Sequence, residues 1–228
     1  MADPNRALFE SVVRLLAPVL DELVFVGGCT TGLFITDPAA SGIRPTKDVD
    51  AIVDVTSYSN YAALADRLRA IGLIEDTTEG APLCRWRSGV LIVDVMPTDA
   101  TVLGFSNRWY PDAIDTATTI DVAGHRIRIV TPALFIATKL EAFHGRGGED
   151  VVASHDLEDI IAVVDGRPEI VSEVAAASSG VRDYIAAEIR ALLDNRDFIE
   201  ALSGFLLPDA ASQSRRALLE ERLRAVSR

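Results

Sequence analysis

The sequence predicts an α/β (α+β) chain. A mixed β-sheet domain with helices spans residues 1–130, and a helical domain spans 131–228. Three observations predict it. Residues 48–55, DVDAIVDV, alternate acidic and apolar side chains with the period of a half-buried strand. Further on, short apolar runs come in pairs separated by glycine, at Ser88-Gly89 and around Gly124, as β-hairpins do. After Thr131-Pro132, a helix cap followed by proline at the first helical position, only helical spacing recurs.

The elements follow in order. Apolar residues from Leu8 to Leu20 recur at helical spacing and predict a first helix packed on a core. Leu23 to Val26 is a short strand running into Gly27-Gly28, with a short helix over 29–35 and a loop rich in Pro, Gly and small residues over 37–45. Strand 48–55 precedes a helix over 58–71, capped by Ser57 and stopped by Gly72. Residues 83–87 and 90–96 form one hairpin, 107–117 a helix, and 120–122 with 126–130 a second hairpin. Helices are then expected over 132–144, 154–164, 168–177, 181–202 and 211–227.

Composition narrows the function. The 228 residues are 49% apolar and 25% charged, enough for a sizeable core and wrong for a disordered chain. Twenty-two Lys and Arg against 34 Asp and Glu give a net charge of −12, which excludes a general nucleic-acid coat protein while leaving room for a local basic patch that grips RNA. Cys29 and Cys84 make neither a disulfide framework nor a zinc motif, so a reducing cytoplasm is expected. No run reaches the roughly 18–20 apolar residues of a membrane span, and MADPNRALFESVVRLL reads as an amphipathic helix rather than a signal peptide; no membrane partner is expected.

The chemistry lies in the acids. On a strand over 48–55, Asp48 and Asp50 share one face, roughly 6–7 Å apart at Cβ. Like charges that close repel, and a divalent cation with oxygen ligands, Mg²⁺ or Mn²⁺, removes the conflict. Asp94 interrupts the apolar run LIVDVMP, where a carboxylate is costly unless paired, hydrated or metal-bound. If its strand lies beside 48–55, three acids converge as in-line nucleotidyl transfer requires. The alternative is a solvated edge strand. Upstream, VFVGGCTTGL runs a strand into Gly27-Gly28 and a helix start, which either presents backbone N–H groups to phosphate, with Thr30 and Thr31 adding hydroxyls, or is only a turn. Lys47 and Arg44 flank the acid pair, as solvated cations or phosphate contacts.

The arrangement GGCTTGL…PTKDVD…IVDV resembles the nucleotidyltransferase (DNA polymerase β-like) superfamily, with its Gly loop, DxD and later-strand acid. PTKDVD, TPALFIATKLEAF and SHDLEDI are similar to motifs of the AbiEii/AbiGii-toxin-like group, which includes the MenT-type toxins. That group pairs a Thr with a Lys on one helix, matched by Thr131 and Lys139, and then has two acids three residues apart, matched by Asp156 and Asp159. Gly28 stands where a serine is usual, and His155 where a basic residue commonly precedes the last motif.

Read physically, Lys139 in its apolar helix either snorkels or serves a ligand, Thr131 is a helix cap, and Asp156 sits in a first helical turn that favours acids by itself. The resemblance implies that Asp48, Asp50 and Asp94 hold metal and act with Lys139 as catalytic residues. It also implies that Gly27, Gly28, Thr30, Thr31, Lys47 and Asp156 bind the nucleotide in a cleft between the domains. The implied reaction moves a nucleoside monophosphate from an NTP to an acceptor hydroxyl. The acceptor would be an RNA such as tRNA, for a toxin with a cognate antitoxin protein. Rival expectations are a small-molecule or protein acceptor, or a catalytically silent module binding a nucleotide or partner. Arg85, Trp86, Arg87, Arg108, Trp109 and Tyr110 are read as an acceptor-stacking surface or as ordinary hairpin packing. His125, His144 and His155 have no zinc-ligand spacing.

Overall fold

In the computed structural model, residues 3–146 and 150–228 are described, and they fall into two compact units. The sheet unit comprises Pro4–Thr30 and Pro45–Thr131; the helical unit comprises Thr31–Arg44 and Pro132–Arg228, with Asp3.

The chain opens with α1 (Arg6–Leu15), which buries Phe9, Val12 and Val13. The expected helix reached Leu20; it ends early because Pro18 supplies no N–H, and Ala17–Glu22 tighten into a 3₁₀ turn. Strand β1 (Leu23–Val26) is buried along its whole length. A 3₁₀ turn at Gly28–Thr30 leads to α2 (Thr31–Phe34), which belongs to the helical unit. β2 (Val49–Val53) and α3 (Tyr58–Ala70, capped by Ser57 through Asn60 N–H) follow. Next come β3 (Ile74–Glu75), β4 (Arg85–Ser88), β5 (Leu91–Pro97), α4 (Ala100–Leu103), α5 (Tyr110–Asp115), β6 (Thr118–Val122) and β7 (His125–Ile129). β3 and α4 were not expected, and α5 is shorter than 107–117.

Among the described residues the strands form one seven-stranded mixed sheet in the order β3-β4-β5-β2-β1-β7-β6. β1 and β2 are antiparallel, and each has a parallel neighbour outward, β7 and β5 respectively. The two central strands are the most completely buried, as strands covered on both faces must be. Phe9 of α1 meets Phe25 of β1 edge to face, ring centroids 5.1 Å apart.

The helical unit continues with α6 (Pro132–Gly145), α7 (His155–Gly166), α8 (Ile170–Ala176), α9 (Ser179–Asp194), α10 (Arg196–Ala201), α11 (Ala210–Ser214) and α12 (Arg216–Val226). α6 is buried from Ala133 to Leu140 without a break, the pattern of a central helix. The single helix expected over 181–202 is broken at Asn195, whose extended backbone and side chain cap α10 through the N–H groups of Asp197 and Phe198. The one expected over 211–227 breaks at Arg215, which donates to Asp37 and Asp165. No helix among the described residues is long and apolar enough to cross a membrane.

Candidate active site

Sheet register assembles the acids. β2 pairs with β5 so that Asp50 lies directly opposite Asp94; Val26 of β1 lies opposite Asp50, and Arg85 of β4 opposite Asp94. A row therefore crosses four strands: Val26, Asp50, Asp94, Arg85. Paired residues project from the same face, and adjacent strands stand about 4.8 Å apart, so the two carboxylates are neighbours. Asp48 precedes β2 by one residue and joins them through Arg85. That guanidinium grips Asp94 with both Nε (2.8 Å to Oδ1) and Nη2 (2.7 Å to Oδ2), while Nη2 also reaches Asp48 Oδ2 at 2.9 Å. Burial opposes the charge on Arg85, yet its pKa is raised, first by the hydrogen bonds to Asp94.

The glycine loop is built against the same acids. Gly27 has φ +77, and a Cβ on it would lie 1.9 Å from Asp50 Oδ2, so only glycine lets the chain turn this close to the carboxylate. Gly28 is buried in the turn that follows. Both the N–H and the hydroxyl of Thr30 donate to the Gly27 carbonyl, at 3.1 and 2.8 Å, so that hydroxyl's proton fastens the loop to itself. Asn5, 1% exposed, ties the surroundings together. Its Oδ1 accepts from Thr46 N–H at 2.8 Å, and the Thr46 hydroxyl donates to Asp48 Oδ1 at 2.9 Å. Lys47 is exposed. Beneath the acids two weaker acids stay neutral. Cys84 is pushed up to about 12 by burial and then by the charges of Asp94 and Asp50; Tyr61 is pushed up to about 12 chiefly by burial and donates to Val95 O at 3.0 Å. Cys84 is therefore no nucleophile.

The helical unit holds its own charged cluster. Lys139 Nζ lies 3.1 Å from Asp156 Oδ1 and 2.7 Å from Asp159 Oδ2. Arg44 clamps Asp159 with two bonds of 2.9 Å, and Arg146 donates to Asp156 Oδ2. Ser154 caps α7 and sets both aspartates in its first turns, on one face at i and i+3. Burial alone would raise the pKa of Asp156, but Lys139 and Arg146 outweigh it and the pKa is lowered. Lys139 does not snorkel: its side chain is 10% exposed and is held by carboxylates. Thr31, in α2, is fully buried with its hydroxyl unpartnered.

Sequence reasoning expects three acids to converge and reads Arg85 for stacking; the register puts Asp50 beside Asp94, and Arg85 bonds Asp94 and Asp48. Trp86 and Tyr110 of that set are buried and present no face to a base. The remaining aromatic, Trp109, carries Arg108 over its ring at 4.9 Å.

Whether a divalent metal suits these acids turns on the donors. They are right in kind, hard carboxylate oxygens, and Asp48 Oδ2 and Asp94 Oδ2 already converge on one cationic nitrogen. Among the described residues no three His, Cys, Asp or Glu side chains are spaced to hold an ion, and Arg85 sits between two of these acids.

Comparisons with known proteins bear on the fold. No family model matches the chain, and no curated protein matches it. An antigenic nucleotidyltransferase-like protein from Paracoccidioides brasiliensis is 20% identical over 86% of this chain and 93% of its own, with a TM-score of 0.51. An H. pylori protein provisionally assigned as a nucleotidyltransferase is 13% identical over 98% of this chain and 93% of its own; its TM-score of 0.49 is too loose to argue from. The chain has a nucleotidyltransferase-like fold, a mixed sheet unit with a helical unit.

Proposed function

We propose that the chain is a metal-dependent nucleotidyltransferase that moves a nucleoside monophosphate from an NTP to an acceptor hydroxyl and releases pyrophosphate. One observation carries this reading: acids from two neighbouring strands meet on one face beside a glycine that only a close backbone approach explains. Asp48, Asp50 and Asp94 would hold Mg²⁺ or Mn²⁺. When bound, the ion would lower the charge cost of bringing the acceptor oxygen to the α-phosphate.

The chain's own groups supply the rest. Gly27 brings the backbone against Asp50 where a side chain would not fit, the Thr30 hydroxyl closes the turn on the Gly27 carbonyl, and Lys47 would add charge from solvent. The acceptor oxygen bonds to the α-phosphorus, its proton passes to Asp94, and the α–β bridging oxygen leaves with pyrophosphate. In the helical unit, Asp156 and Asp159 hold the Lys139 ammonium in one place, which would preorganise its charge.

Incubation with each α-labelled NTP and total cell extract tests the reading. Wild type labels an acceptor pool, and Asp50→Ala labels none. Binding of NTP with no label in RNA, protein or metabolite would favour a silent nucleotide-binding or partner-binding module, a reading supported by the guanidinium among the acids.

The motifs shared with the AbiEii/AbiGii-like group extend the proposal to a toxin acting on RNA such as tRNA, with an antitoxin partner. A net charge of −12 favours a short RNA footprint or a smaller acceptor. Growth arrest on expression, relieved by the product of the neighbouring reading frame, is the expected outcome for a toxin.

A further inference from the structure

We propose that Arg85 is a displaceable internal counter-cation that competes with the divalent metal for Asp48 and Asp94. The inference rests on the reading that these acids take a metal. Two aspartates this near need positive charge between them, and Arg85 supplies it from the facing strand. It does so through the very oxygens a metal would use. Asp94 gives both of its oxygens to Arg85, and Asp48 gives Oδ2 to the same Nη2 while Thr46 occupies Oδ1. A cation entering among the acids therefore meets a guanidinium already bonded to these oxygens, a neighbour of like charge that cannot shed its proton. The Arg85 side chain is 21% exposed and sits on β4, next to the two-residue edge strand β3, so solvent reaches it.

The consequence is a tax on metal affinity. When only a fraction of the molecules has Arg85 displaced, the apparent affinity falls by that fraction. A merely supporting arginine would do the opposite: removing it would let the acids splay and weaken binding. The sign of the change therefore separates the two roles.

The test is Mn²⁺ binding to the full chain, read by the loss of the free-ion EPR signal, for wild type, Arg85→Gln and Asp50→Asn. Arg85→Gln is expected to bind Mn²⁺ about tenfold tighter than wild type, and Asp50→Asn more weakly. Equal or weaker binding by a folded Arg85→Gln overturns the inference and leaves the metal reading standing. No binding by wild type or by folded Arg85→Gln overturns both. Should Arg85→Gln fail to fold, Mg²⁺ titration of wild type followed at the Arg85 side-chain Nε resonance decides. A saturable move of Nε–H to the position and fast solvent exchange of an unbonded arginine supports displacement, and a resonance that stays hydrogen-bonded at saturating Mg²⁺ overturns it.

Discussion

Single residues do unequal work in this site. Asp94 was legible because a carboxylate inside LIVDVMP has no business there unless something answers its charge. Asp48 and Asp50 were legible through strand periodicity. Gly27 was legible only as half of a Gly-Gly pair; its real constraint, the Asp50 carboxylate against its Cα, is a tertiary fact that no local pattern encodes. Replacing Gly27 with Ala puts a Cβ into that carboxylate at φ +77. The left-handed backbone alone costs about 1–2 kcal/mol, and the displaced acid adds to it. Urea denaturation of Gly27→Ala should show a loss of about 2 kcal/mol or more, and an unchanged midpoint would mean that the loop does not approach Asp50. Lys139 makes a poor probe of catalysis. Lys139→Ala would leave Asp156 and Asp159 buried with less countercharge, at a cost of about 3–5 kcal/mol, so lost activity there would speak first of folding.

Elements explain why Arg85 was missed. A hairpin turning on Ser88-Gly89 pairs Arg87 with Val90 and sets Leu83 across from Asp94. The observed ladder pairs Ser88 with Leu91, so the loop is Gly89-Val90, and Arg85 faces Asp94. Gly89, with φ +59, supplies the positive φ that a two-residue turn of the II′ kind needs at its first position. A shift of one residue in the loop thus hid the cation of the site. Long helices were legible as helical and misjudged in length, because Asn195 and Arg215 act through side-chain bonds that periodicity does not register. The second hairpin gives a clean test of turn chemistry. Ala123 has φ 53 and Gly124 φ 82 between paired Val122 and His125, the pattern of a I′ turn with a non-glycine where Asn is favoured. Ala123→Asn should therefore stabilise the protein by about 0.5–1 kcal/mol, read as a higher melting temperature; a fall would contradict the turn.

At the scale of the molecule, acid should act through buried pairs rather than through the net charge of −12. Protonating surface carboxylates relieves repulsion, whereas protonating Asp156 undoes its bonds to Lys139 and Arg146. The sign follows from its lowered pKa in the folded state. Its contribution is complete above the ordinary value of 3.8 and is lost as pH falls through the folded value. Asp156→Asn removes that contribution at neutral pH, at about 1.5–3 kcal/mol per charged hydrogen bond lost. Below pH 3.8 wild type loses it too, so the stability gap between the two proteins should narrow as pH drops. The comparison isolates the pair. Asp37 and Asp209, whose pKa values are also lowered by hydrogen bonds, titrate equally in both proteins and cancel, as does the relief of surface repulsion. Urea midpoints from pH 7 down to about 2.5 provide the measurement, and a gap that stays constant across that range would show that Asp156 does not carry its charge in the folded state.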